Sequence, residues 1–112
     1  MARGRVTDEN AKVDFIEPSH SVLNTPNKLS VTDFEDWVQE RGLYFAEEWA
    51  SEFTPIFKMN DPGEKPLKGS LLIGKYGKGN IVYTGLSFFR QLPAGVSGAY
   101  RLFANLLSLE NE

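Results

Sequence analysis

Apolar positions crowd most densely between Gly69 and Leu109, where two short runs and one helical stripe follow one another. Leu71, Leu72 and Ile73 form the first run, and Ile81, Val82, Tyr83 and Thr84 form the second, which is rich in β-branched and aromatic residues. The glycine-rich link from Gly74 to Gly79 supplies the turn chemistry of a tight reversal. A β-hairpin over Ser70 to Leu86 is the expectation. Both runs are apolar at consecutive positions, which predicts strands covered on both faces. Farther on, Ala99, Leu102, Phe103, Leu106 and Leu107 recur at helical spacing behind Ser97, so a C-terminal helix is expected to pack on the hairpin.

Upstream the pattern is weaker. Met1 to Ala11 is polar and is expected to be mobile, leaving 12–109 as the globular part of a single domain. Lys12 to Glu17 alternates apolar and polar residues as a short strand does, and Pro18 ends it. A first helix is predicted over Thr32 to Arg41. Its cap is Thr32 with Glu35, or alternatively Ser30 with Asp33; Phe34, Trp37 and Val38 are its buried face, and Gly42 its stop. Phe45 to Phe53 fits helical and extended readings alike; short strands at Leu43 to Phe45 and Thr54 to Met59 are preferred. Asn60-Asp61-Pro62-Gly63 is a turn. The elements add up to an α/β, α+β-like small domain with a mixed, largely antiparallel sheet, a central hairpin and two main helices. Phe34, Trp37, Phe103 and Leu107 are its expected core.

Charge narrows the partners. Fifteen acidic residues against twelve basic ones give a net charge of −3, without the basic patch that nucleic acid requires. No run reaches the about 18 apolar residues of a membrane span. A soluble, cytoplasmic protein is the default expectation, or an exported one if the chain belongs to a longer secreted protein. The absence of cysteine removes thiolate nucleophiles and cysteine zinc sites.

Candidate chemistry is sparse. The turn from Gly74 to Gly79 lacks the Lys-Ser/Thr of a phosphate loop, since Asn80 and Ile81 follow it, and it joins strands instead of opening a helix. His20 is the only histidine, too few for a hydrolytic zinc site, and is expected on a loop surface. The carboxylates of Asp36 and Glu40 read as a solvated face. The most suggestive stretch is Phe88 to Pro93, a loop after a strand end, where open α/β sheets place ligands. Its candidate binding residues are Phe88, Arg90 and Gln91, weighed against a role of the phenylalanines in the core. No catalytic residue, metal ligand or cofactor is expected.

From Asn24 to Leu109 the chain resembles the C-terminal region of large bacterial proteins of the PIG-L/LmbE deacetylase family. The residues that carry the resemblance include Leu23-Asn24-Thr25-Pro26-Asn27-Lys28, Trp37-Val38-Gln39-Glu40-Arg41-Gly42-Leu43-Tyr44-Phe45, Met59-Asn60-Asp61-Pro62-Gly63-Glu64, Tyr83-Thr84-Gly85-Leu86-Ser87-Phe88-Phe89-Arg90-Gln91-Leu92-Pro93 and Tyr100-Arg101-Leu102-Phe103-Ala104-Asn105-Leu106-Leu107. The resemblance implies the last part of a flavodoxin-like, glutamine amidotransferase-like domain. The family's His-Pro-Asp-Asp zinc motif and the amidotransferase cysteine are both missing from these residues. A non-catalytic accessory or interaction domain is therefore expected, with a deacetylase catalytic domain or a second copy as partner. A carbohydrate-binding module using Trp49, Tyr76 and Phe88, and a small hydrolase using His20 with a carboxylate, are the alternatives.

Overall fold

A computed structural model of the chain describes residues 4–8, 10–38, 40–76 and 79–109. Seven short strands are present among them: β1 (Gly4–Val6), β2 (Val13–Phe15), β3 (Gly42–Phe45), β4 (Phe53–Pro55), β5 (Phe57–Met59), β6 (Leu71–Tyr76) and β7 (Gly79–Thr84). One main helix, α2 (Ser97–Leu107), follows a single-turn helix, α1 (Phe88–Gln91), and 3-10 turns occupy Ser21–Leu23 and Val31–Phe34. All strand pairing is antiparallel, in three ladders ordered β1-β3, β2-β5 and β4-β6-β7. The radius of gyration, 13.2 Å, matches the about 13 Å expected of a compact chain this long. The molecule is a small α+β domain built on antiparallel sheets.

The hairpin forms where the apolar runs and the glycine turn place it. β6 and β7 pair without interruption from Leu71–Thr84 to Tyr76–Gly79. Gly77 and Lys78, the tip of the expected turn, lie outside the described residues. Gly74 is opposite Phe53 of β4, and a Cβ there would stand 3.0 Å from the phenylalanine ring, so the aromatic side chain needs a glycine beneath it. The expected strand from Thr54 to Met59 is one extended run that changes partners. Phe53–Pro55 pairs with β6, Ile56 donates its N–H to the Leu71 carbonyl, and Phe57–Met59 pairs with β2. The turn after Met59 closes with the Glu64 N–H on the Asp61 carbonyl.

Four expectations are corrected. Residues 4–6 of the polar N-terminus are not mobile tail but β1, and the neighbouring residues Thr7 and Asp8 are held by Asp61. The Asp61 carboxylate accepts the Thr7 N–H at 2.8 Å, the Asp8 N–H at 2.7 Å and the Thr7 hydroxyl at 3.0 Å.

The second correction is the helix over Thr32 to Arg41, which is a 3-10 turn, Val31–Phe34, followed by extended Glu35 and by Asp36 at a φ of 67°. A helix would direct the Trp37 N–H to the Asp33 carbonyl and the Val38 N–H to that of Phe34. Instead the Trp37 indole N–H takes Asp33, the Arg41 guanidinium takes Phe34, and the Val38 N–H goes to Gln91. Side chains have taken the Asp33 and Phe34 carbonyls and the Val38 N–H that a helical ladder would use. The alternative cap survives in part, with the Ser30 N–H on the Asp33 carboxylate at 2.9 Å. Phe34 and Trp37 are buried as expected, but Val38 is exposed.

The third correction is β7, which is not covered on both faces: Ile81 is 44% and Val82 38% exposed. The fourth is α2, which packs on the two 3-10 turns and on α1 in place of the hairpin. Its inner side is Gly98, Ala99, Leu102 and Asn105, and a Cβ on Gly98 would lie 1.7 Å from the Asp33 carbonyl oxygen. That close approach turns Tyr100, Phe103 and Leu107 outward, so Phe103 and Leu107 are not core. The core proper gathers residues from nearly every element, with Phe15, Phe34 and Phe57 in mutual edge or tilted ring contact.

Candidate functional site

Of the three residues singled out by sequence, two are built into the interior. Phe88 is buried, with its ring 6.1 Å from Trp37 and 5.4 Å from Phe103. Gln91 is 0% exposed, and its amide is fully engaged by the chain itself. Its oxygen accepts the Val38 N–H at 2.7 Å. Its nitrogen donates to the Val38 carbonyl at 2.9 Å, with the Glu40 carbonyl at 3.2 Å and the Ser87 hydroxyl at 2.8 Å. Gln91 thus binds Val38 and Glu40 as a neighbouring strand would, and presents no surface to a ligand. Arg90 sits in α1, and its side chain lies outside the described residues, as does that of Tyr76.

The same clamping recurs elsewhere, at residues that sequence reasoning passed over. Asn105, 0% exposed, donates to the carbonyls of Val22 and Asn27 at 2.7 Å and accepts the Asn27 N–H at 3.0 Å. Arg41 is buried, reaching the Ala11 carbonyl at 2.7 Å and lying 5.5 Å from the centre of the Phe34 ring. Asn105 had a signal: it interrupts the apolar stripe of α2 at an inward position. Arg41 had none.

Two grooves flank the β4-β6-β7 sheet. The larger, about 620 Å³, has a mixed lining that includes His20, Glu52, Thr54, Ile73, Lys75 and Leu109. His20 is fixed there by its own turn, its Nδ1 accepting the Val22 N–H at 3.1 Å. A neutral ring that accepts at Nδ1 carries its proton on Nε2. That is the tautomer of a hydrogen-bond donor; a triad histidine needs Nδ1 protonated toward its carboxylate and Nε2 free as base. Among the described residues, no three His, Cys, Asp or Glu side chains converge as metal ligands.

The second groove, about 330 Å³, lies on the opposite, outer face. Leu72 and Tyr83 are cross-strand neighbours at its floor, Phe53 borders them, and Trp49 stands beside Glu47 and Glu48. Leu72 is buried yet lies apart from the main core, so this face carries an apolar cluster of its own. Trp49 also borders a groove of about 400 Å³ with Lys65 and Lys68.

The remaining surface features are apolar. On α2, Tyr100, Phe103 and Leu107 make an outward stripe, with Leu107 73% exposed. No helix among the described residues is long and apolar enough to cross a membrane. Comparison of the chain with protein-family models, curated proteins and solved structures found no match.

Proposed function

We propose that this chain is a non-catalytic accessory domain of PIG-L/LmbE-type deacetylase proteins, docking on their catalytic part. The resemblance from Asn24 to Leu109 suggests the partner, and the outer stripe of α2 is the observation that carries the reading. On the outer side of a helix already anchored by Gly98, Leu102 and Asn105, the Tyr100 hydroxyl donates to the Leu92 carbonyl and Phe103 touches the Phe88 ring, yet all three side chains of the stripe stay exposed, Leu107 most of all. An aromatic and aliphatic stripe at helical spacing suits a groove on a second domain. Mixing the chain with a separately purified catalytic domain of that family tests the reading by calorimetry. Binding that Leu107→Glu weakens at least tenfold supports it; no heat at about 100 µM of each component, or binding indifferent to Leu107→Glu, overturns it.

A second reading rests on the outer-face groove. Its lining brings the aromatic side chains of Trp49, Phe53 and Tyr83 together with the carboxylates of Glu47 and Glu48, the residue types that suit sugar rings and their hydroxyls. Trp37 is buried and Trp49 is partly exposed, so a saccharide at this groove changes the fluorescence of Trp49. A panel at millimolar concentration that leaves the emission unchanged removes this reading.

A further inference from the structure

β7 ends its sheet, and among the described residues no strand pairs with its outer side. The Gly85 N–H donates to the Ser70 carbonyl, and in an antiparallel ladder such hydrogen-bonded pairs recur at every second position. Leu72–Tyr83 and Gly74–Ile81 therefore bond inward, while Val82 and Thr84 turn their N–H and C=O groups away from β6. Among the described residues no backbone group of another segment meets these two from that side. Edge strands are ordinarily defended by charge, proline, a bulge or a covering element. β7 reads Gly79-Asn80-Ile81-Val82-Tyr83-Thr84, without charge or proline, and its register is continuous. Ile81 and Val82, on opposite faces, are both exposed.

We infer that β7 pairs with β7 of a second copy of this chain, antiparallel about a two-fold axis with Val82 at the centre. In that register the two Val82 residues exchange both backbone hydrogen bonds, and each Asn80 faces Thr84 of the other copy. Each Ile81 then lies opposite the other copy's Tyr83, the β-branched and aromatic combination that favours strand pairing. No like charges oppose each other, because the strand has none. A slip of one residue turns the inward-bonded Ile81 and Tyr83 toward the new edge and loses the pairing, whereas a slip of two keeps the bonding groups matched but sets Ile81 against Ile81, or Tyr83 against Tyr83, in place of the two Ile81–Tyr83 pairs. The joined sheet runs β4-β6-β7-β7-β6-β4.

The area sets the strength. Six residues span about 20 Å, and a ribbon of that length covers roughly 200–300 Å² per copy, well below the about 800 Å² of a standard interface. The dimer is therefore expected to be weak, and its test has to reach high protein concentration.

Sedimentation velocity on the full chain from about 5 to about 500 µM tests this. The expected result is a shift from the 12.6 kDa monomer toward twice that mass, weakened at least tenfold by Val82→Lys, kept by Val82→Ile and unmoved by Leu107→Glu. A monomer throughout, or a dimer that Val82→Lys leaves intact, or one that Leu107→Glu dissolves, overturns the inference. Should Val82→Lys fail to fold, hydrogen exchange of the wild-type Val82 and Thr84 amides decides. Protection that rises with concentration supports strand pairing, and protection independent of concentration overturns it. Because the catalytic-domain test reads α2 and this one reads β7, either can fail without the other.

Discussion

The region around Gln91 and the outer edge of β7 treat the backbone in opposite ways. Between Ala11 and Arg41 the described residues hold only β2 and two 3-10 turns, yet buried side chains bind N–H and C=O groups there: Gln91 takes Val38 and Glu40, Asn105 takes Val22 and Asn27, and Arg41 takes Ala11 and Phe34. β7 is a regular strand, yet Val82 and Thr84 keep an unpaired side among the described residues. Irregular backbone is satisfied from within; regular backbone is left for something outside. Buried peptide groups must find partners, whereas exposed ones have water, so a side-chain clamp is needed only in the first region.

The largest effect is expected where the clamp is densest. Gln91→Ala strips partners from Val38 and Glu40 and leaves a cavity, which is expected to cost about 3–4 kcal/mol in a denaturant melt. A loss below about 1 kcal/mol breaks the comparison, because Val38 and Glu40 would then be held by something else.

Gly98→Ala comes next, and its sign is the informative part. In an ordinary helix interior the change stabilises by up to about 1 kcal/mol. Here the new Cβ meets the Asp33 carbonyl oxygen at 1.7 Å, so α2 must lift from the 3-10 turn, at an expected cost of about 2–3 kcal/mol. A stabilised variant in thermal unfolding would show that α2 is free to move away from that turn.

The hairpin, the strand at residues 13–15, the turn after Met59 and the C-terminal helix were legible because each is written locally, in β-branched runs, proline and glycine, or helical spacing. The helix over Thr32 to Arg41 was misread for a non-local reason. Its caps and apolar spacing favour a helix, but Gln91, some fifty residues onward, and the Arg41 guanidinium claim the groups a helix would use. Gln91 drew notice as a polar group of a loop after a strand end, where open α/β sheets place ligands. Its ligand turned out to be the chain's own backbone. The direction α2 faces depends on how closely Gly98 approaches Asp33, which no periodicity encodes.

Asp61 gives a smaller effect with a pH signature. Burial raises its pKa, but the N–H groups of Asp8 and Thr7, the Thr7 hydroxyl and the charge of Arg5 outweigh that, holding it below its ordinary value of 3.8. A carboxylate whose pKa is lower folded than unfolded stabilises the fold fully above the unfolded value, and that contribution fades as pH falls through the folded one. Asp61→Asn is therefore expected to cost about 1 kcal/mol at neutral pH, the site being partly open to solvent, and almost nothing near pH 2. Stability curves of the two proteins that stay parallel down to acid would sink the clamp at Thr7 and Asp8.

The smallest effect sharpens the contrast most. Val82→Thr keeps a β-branched side chain at a partly exposed position of the edge strand, so the monomer's stability is expected to change by less than about 0.5 kcal/mol. That near-silence is what separates β7 from the Gln91 clamp, where every group removed is missed by the fold itself. The difference reappears with concentration: binding a second copy stabilises only the folded state, so the wild-type melting temperature rises between about 5 and about 500 µM while that of Val82→Thr rises less. Melting temperatures that climb equally in both proteins would place the association elsewhere. A Val82→Thr loss above about 1 kcal/mol at the lowest concentration would mean that the edge serves the monomer after all.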